Sequence, residues 1–276
     1  MYEDILYEVK DPVAVITFNR PESLNAASDR MLAELRHAVA AAEDDKRVVG
    51  IIITGAGRGF CSGRDVSGMG GGRGRSRPEG DGSLPAEPGD PWVGQDYQKS
   101  FTYLATVRKP VIAAVNGPCA GLGFVIAMMC DMRFIADNAF YMTAFSQRGL
   151  VAEHGLSWLL PRLIGLSRAL EILWTSRRVK ADEAERIGLA DRVVEADKLL
   201  DECAAFIQSM AETVAPYSLQ VMKGQLYRHL TTDYGTALEE SWQAMADASA
   251  GPDVKEGVAS FREKRPPDFG RVGKSN

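Results

Sequence analysis

The spacing of apolar positions changes period along the chain. Ile5–Lys10 and Val13–Asn19 read as two short strands joined at Asp11-Pro12. From Asn25 to Asp45, the residues Met31, Leu35, Ala38 and Val39 recur at helical spacing, and Ser28 or Asp29 can cap that helix. Val48-Val49-Gly50-Ile51-Ile52-Ile53-Thr54 is a continuous apolar run rich in β-branching, the pattern of a strand covered on both faces. A second such run, Val111–Val115, ends in a Gly/Pro turn, and an apolar segment of helix length follows at once. Strands are predicted over Met132–Ala136 and Phe140–Thr143. Helices are predicted near Leu156–Leu163 (with Pro161 inside), over Ser167–Thr175, and over Ala181–Ile187 before Gly188. From about Lys198 through Phe261 the signal is almost entirely helical. Alternating strands and helices followed by helices alone predict an α/β core over residues 1–197 and a helical C-terminal region over 198–276.

One stretch breaks the alternation. Residues 67–96 hold nine glycines and four prolines among few apolar side chains. Strand–helix alternation resumes beyond it, with a helix expected from about Gln95 to Thr106, so the stretch reads as a loop or lid and not as a domain linker.

Composition narrows the field. The 276 residues are 45% hydrophobic and 25% charged, which suits one large domain or a domain with an appendage. A net charge of −5 implies no broad basic face for nucleic acid. No apolar run reaches the roughly 18 residues that span a bilayer, and Met1-Tyr2-Glu3-Asp4 lacks the look of a secretion signal. Cys61, Cys119, Cys130 and Cys203 form no C-x-x-C pair and are expected to be reduced core thiols of a cytoplasmic protein. Their spacing with His37, His154 and His229 suggests no metal site.

Three local patterns could carry chemistry. Thr54-Gly55-Ala56-Gly57-Arg58-Gly59 follows a buried strand, but Phe60 stands where a dinucleotide fingerprint needs glycine and no Gly-Lys-Ser/Thr follows, which leaves a tight turn. Gly121-Leu122-Gly123 opens a helix and presents unpaired backbone N–H groups. It reads either as a donor to an oxygen gaining negative charge or as a packing turn. Glu153-His154 sits in a mostly apolar loop before a helix. The glutamate reads as a capping acid at the helix start or as an acid–base group. His154 is expected to be a neighbour of the site, and His37 and His229 structural or solvated. No G-x-S-x-G elbow supports an α/β-hydrolase.

Taken together, four segments in order resemble the crotonase superfamily, also called the enoyl-CoA hydratase/isomerase family, over nearly the whole chain. They are Asn19-Arg20-Pro21-Glu22-Ser23-Leu24-Asn25-Ala26, Gly59-Phe60-Cys61-Ser62-Gly63-Arg64-Asp65-Val66, Lys109–Gly117 with Gly121-x-Gly123, and Phe261-Arg262-Glu263-Lys264-Arg265-Pro266. The resemblance implies an α/β spiral of ββα units with a C-terminal helical region that builds trimers, often paired into hexamers. It implies an acyl-CoA thioester as substrate, with coenzyme A entering only as part of that substrate and no separate cofactor, and no nucleic-acid or membrane partner. The backbone N–H groups of Arg64 and Leu122 fall at the family's oxyanion hole. Ser62, Gly63, Asp65 and Val66 would border the adenine and pantetheine, Gly121 would flank the second donor, and Lys264 and Arg265 would lie near CoA phosphates. Arg73, Arg75, Arg77 and Trp92 of the lid could close over substrate.

The departures from the family pattern are informative. Hydratases of the family carry glutamates at the positions of Val125 and Phe145, both apolar here. Some isomerases and dehalogenases of the family carry an aspartate eight residues past the second position, where this chain has Glu153. Glu153 is therefore the expected catalytic carboxylate, with Phe145, Met142 and Met69 shaping an acyl pocket and Phe124 in the core. Two other readings stay open: a hydrolase of a cyclic or β-dicarbonyl substrate, and a CoA-binding trimer that has lost catalysis.

Overall fold

The computed structural model describes residues 2–65, 84–99 and 101–273. Val66 and the lid residues up to Ser83, with Met69, Arg73, Arg75 and Arg77, lie outside the described residues.

The chain builds two sheets. Strands β1 (Ile5–Lys10), β2 (Val13–Phe18), β3 (Gly50–Gly55), β4 (Val111–Val115), β6 (Met132–Ala136) and β9 (Arg192–Val194) form the larger, in the order β1-β2-β3-β4-β6-β9. Only β1 pairs antiparallel, with β2; the other neighbours are parallel. Strands β5 (Pro118–Ala120), β7 (Phe140–Met142) and β8 (Val179–Lys180) form the smaller sheet, β5-β7-β8. From β4 to β7 successive strands alternate between the sheets. β4 lies in the large sheet, β5 in the small one, and helix α3 (Leu122–Met129) follows; β6, β7 and the helices α4 (Leu156–Ile164) and α5 (Leu166–Thr175) repeat the turn. The apolar run in β3 is buried at every position, as its unbroken hydrophobicity predicts.

The predicted elements sit close to the observed ones, and the exceptions have local causes. Helix α1 (Asp29–Asp44) starts four residues later than Asn25, because Asn25 adopts a φ of 56° and its amide is committed elsewhere. Its Oδ1 accepts from Arg20 N at 2.9 Å, and its Nδ2 donates to the carbonyls of Ala56 and Gly59 at 2.9 and 2.7 Å. Ser28 caps α1 as expected, accepting from Met31 N at 2.9 Å. The helix expected over 95–106 is a 3-10 turn at Gln95–Gln98 and one α-turn, α2 (Tyr103–Thr106). Phe101, Tyr103 and Leu104 are all buried, a spacing no single helix face satisfies, and the Thr102 hydroxyl donates to the Lys99 carbonyl between the two turns. Strands β5, β8 and β9 are two or three residues long and carry too little period to read in advance.

Helices α6 (Ala181–Ile187), α7 (Leu199–Thr213), α8 (Pro216–His229), α9 (Tyr234–Ala250) and α10 (Pro252–Glu263) complete the chain. α7 lies on the large sheet through Leu199, Cys203 and Ile207. α8, α9 and α10 bury little beyond Pro216, Gly224 and Ser260. Lys223 ties α8 to the core: its Nζ donates to Asp131 Oδ2 at 2.6 Å and to the carbonyls of Leu104 and Lys109 at 3.0 Å each.

All four cysteines are free and buried. Burial pushes the thiols of Cys61, Cys130 and Cys203 from 9.0 up to about 12, and Cys119 is also raised well above its usual value. The folded chain thus keeps protons that the unfolded chain releases above pH 9. This stability is full below pH 9 and is lost as pH rises towards the folded values. Lys109 opposes the trend, since burial lowers it from 10.5 to about 8, so its contribution improves between those values. Four thiols outweigh one ammonium. The urea midpoint is expected to be lower near pH 10.5 than near pH 8.5, and a midpoint that held or rose would contradict thiol burial.

Candidate active site

Three chain segments run side by side and end together. Cys61 is bridged in parallel with Cys119, and β5 pairs in parallel with β7 in the register Ala120↔Met142. The residues that follow are Gly63-Arg64, Gly121-Leu122 and Thr143-Ala144-Phe145, so Arg64, Leu122 and Phe145 leave their strands at one edge. Glycine is required here for two separate reasons. Gly121 has φ 50° and ψ −117°, a backbone that L side chains avoid. A Cβ at Gly123 would meet the Cys61 carbonyl at 2.3 Å, so the start of α3 packs directly on the Cys61 strand. The packing reading of this turn holds for Gly123.

Hydrogen bonds fix the direction of the first amide. Ala27 N donates to Gly63 O at 2.7 Å and Asp65 N donates to Ala27 O at 3.0 Å. Residues 63 and 65 thus turn their polar groups towards Ala27, and the extended chain aims the Arg64 N–H the opposite way. On that opposite side Cys61 O accepts from Ala120 N at 2.9 Å, and the Cβ position of Gly63 lies 3.8 Å from Leu122 N. Leu122 is the first residue of α3, where helix geometry leaves the N–H without a partner. Among the described residues neither the Arg64 nor the Leu122 amide donates to a protein acceptor. The Arg64 side chain folds back, with Nη2 2.8 Å from Asp29 Oδ1 and Nη1 3.3 Å from Ala27 O. Asp65 pairs with Arg20 at 2.8 Å. The sequence singled out Asp29 only as a possible helix cap; its grip on Arg64 appears only once α1 meets the 61–65 strand.

Val125, one turn into α3, and Phe145 are both buried. Leu150 N donates to Phe145 O at 3.0 Å, which folds the following loop back onto it. Glu153 lies on that loop with its side chain 38% exposed. It does not cap α4: the N-cap is Gly155, without a side-chain bond, and Glu153 contributes only its carbonyl, to Leu156 N at 3.0 Å. His154 Nε2 lies 4.0 Å from its Oε2. The His154 side chain is 11% exposed, with its ring edge-on to Phe101 at 5.2 Å. Met129 of α3 reaches the same loop, its Cε 4.0 Å from the Cβ position of Gly155.

The remaining site candidates are dispersed. Ser62 donates to Ser23 O at 3.0 Å. Phe124 is in the core, edge-on to Tyr141. Trp92 lies against α8, with Arg228 stacked on its ring. Lys264 is exposed at the end of α10. Arg265 is held by Glu256 at 2.6 and 2.9 Å and by Glu263 at 2.6 Å; these hydrogen bonds raise its pKa well above the usual value and commit its fork to protein carboxylates. Among the described residues no group of three or more His, Cys, Asp or Glu is placed to hold a metal ion, and no helix is long and apolar enough to cross a membrane.

Comparison with known proteins agrees with this architecture. Residues 8–272 match the family model described as enoyl-CoA hydratase/isomerase. The chain is 35% identical to the 1,2-epoxyphenylacetyl-CoA isomerase of Escherichia coli, covering 98% of this chain and 99% of the relative. It is 33% identical to the short-chain-enoyl-CoA hydratase of Clostridium acetobutylicum, with 95% of each covered. The crystal structure of an enoyl-CoA hydratase from Bacillus anthracis superposes with a TM-score of 0.85 at 27% identity, covering 97% of this chain and 99% of that one. The two-sheet α/β spiral with its C-terminal helices is the crotonase fold, and the chain belongs to the enoyl-CoA hydratase/isomerase family.

Proposed function

We propose that this acyl-CoA enzyme binds the thioester oxygen between the Arg64 and Leu122 amides and uses Glu153 to move a proton, shifting a double bond in preference to adding water. The observation that carries the reading is the pair of amides without protein acceptors on adjoining strand ends, beside two buried apolar residues where hydratases hold glutamates. Syn addition of water needs one group to activate the water and a proton source for the α-carbon. With Val125 and Phe145 at those places, one carboxylate is left. A single base can take a proton from one carbon of an enolate and return it to another, while the two amides hold the charge on oxygen. The Escherichia coli relative is named as an isomerase, acting on an epoxy thioester, and the Clostridium relative as a hydratase.

Ser62, Gly63 and Asp65 then border the adenine and pantetheine and Gly121 flanks the second donor, with Val125 and Phe145 closing the apolar side. Lys264, exposed at the end of α10, is a cation placed to meet a CoA phosphate, and Arg265 reaches one only by releasing Glu256 or Glu263. The chemistry calls for no cofactor beyond the CoA carried by the substrate. Self-association as a trimer or a pair of trimers belongs to the same reading, supported by Met222, Leu226, Trp242, Met245 and Phe261, all exposed on α8 to α10. The test is a panel of 2-enoyl, 3-enoyl and dienoyl thioesters in heavy water, read by product mass and deuterium position. Double-bond migration with deuterium incorporated is expected, and crotonyl-CoA hydration is expected to be slow. Fast hydration that survives Glu153→Gln would overturn the assignment.

A further inference from the structure

The acyl-thioester reading leaves open how far the acyl group extends. Near Glu153 lies a cavity of about 250 Å³ lined by Tyr97, Thr102, Met128, Met129, Gly155 and Trp158, among others. Its position relative to the amides follows from helix geometry. Leu122, Val125 and Met129 are spaced i, i+3, i+7 and share one stripe of α3. The near end of that stripe carries the Leu122 N–H, and the far end carries the cavity wall. Seven residues at about 1.5 Å each separate them by roughly 10 Å. The lining also includes Gly155, in contact with Met129 and two residues after Glu153 in the chain. Its lining is mostly apolar and aromatic: Tyr97 stands edge-on to Trp158 at 6.4 Å and to Tyr227 at 6.3 Å. The Tyr97 hydroxyl is already satisfied by Tyr227 O at 3.1 Å and makes no demand on an occupant.

We infer that this cavity receives the distal end of a medium-length acyl chain of about eight to twelve carbons. An extended chain advances roughly 1.2 Å per bond, a third of a residue's reach, so roughly nine bonds cover the distance from the Leu122 amide to Met129. The volume is also sufficient: a dry cavity of about 150 Å³ holds benzene, and this one is larger. A four-carbon acyl group bound at the amides stops short of the cavity. The paired methionines give an unbranched, polarisable wall suited to a flexible chain.

The test is calorimetry of the full-length protein with saturated, unreactive acyl-CoA thioesters from four to sixteen carbons, with phenylacetyl-CoA alongside. Affinity is expected to rise about three- to fourfold per methylene between six and ten carbons and to level off beyond about twelve. Met129→Trp and, independently, Leu159→Trp fill the cavity and are expected to reduce the decanoyl-to-butyryl affinity ratio at least tenfold. The chain-length slope is expected to persist in Glu153→Gln, which separates this inference from the assignment of the acid. A flat series, a phenylacetyl preference over decanoyl, or an unchanged ratio in both filled variants would overturn it. Absence of any acyl-CoA binding would overturn the thioester reading itself.

Discussion

Glu153→Gln is expected to lower kcat by about 10²–10⁴-fold, the usual contribution of a positioned acid–base group. The amide replacement keeps the size of the side chain and removes its basicity. The carboxylate is partly exposed, caps no helix and, among the described residues, makes no ion pair closer than the 4.0 Å approach of His154, so folding is expected to depend little on it. Thermal melting close to wild type alongside the loss of turnover is the expected pair of results. Loss of α-proton exchange on a bound acyl-CoA in heavy water checks the chemistry directly. A variant that exchanges protons at the wild-type rate would remove Glu153 from the mechanism.

Gly123→Ala is expected to damage both stability and turnover, although it adds one methyl group distant from any acid or base. The new Cβ would lie 2.3 Å from Cys61 O and 2.7 Å from Cys61 Cβ, and the nearest obstacle is backbone. The clash separates α3 from the 61–64 strand, the two elements that carry the Leu122 and Arg64 amides. Overpacking of this kind costs about 1–3 kcal/mol, and displacing one oxyanion donor costs about 10²–10³ in turnover. Gly270→Ala is the control, because nothing lies within 4 Å of its Cβ position. Denaturant titration and kcat together check the prediction; full activity in Gly123→Ala would show that the two amides do not act on one oxygen.

Much of the architecture was legible in the sequence because it rests on local pattern. β1, β4, β6 and α6 fall where their apolar spacing places them, and Gly188 ends α6 with a left-handed φ of 83°. The Ser28 cap and the apolar residues at Val125 and Phe145 were equally visible. The family resemblance pointed to Arg64, Leu122 and Glu153 as candidates, and the local pattern left the glycine turn divided between packing and donation.

Tertiary structure settled what depends on neighbours distant in sequence. Asn25 leaves α1 because its amide satisfies carbonyls more than 30 residues away, a long-range demand that outweighs helical periodicity. The direction of the Arg64 N–H is set by Ala27 on another segment, and the closeness of the two turns by the missing side chain at Gly123. The capping reading of Glu153 fell because the preceding loop folds onto Phe145 and brings Gly155, not the acid, to the helix start. Periodicity reports which face of an element is buried. Which backbone groups remain unpaired, and towards what they point, is fixed only when the strands and helices have met.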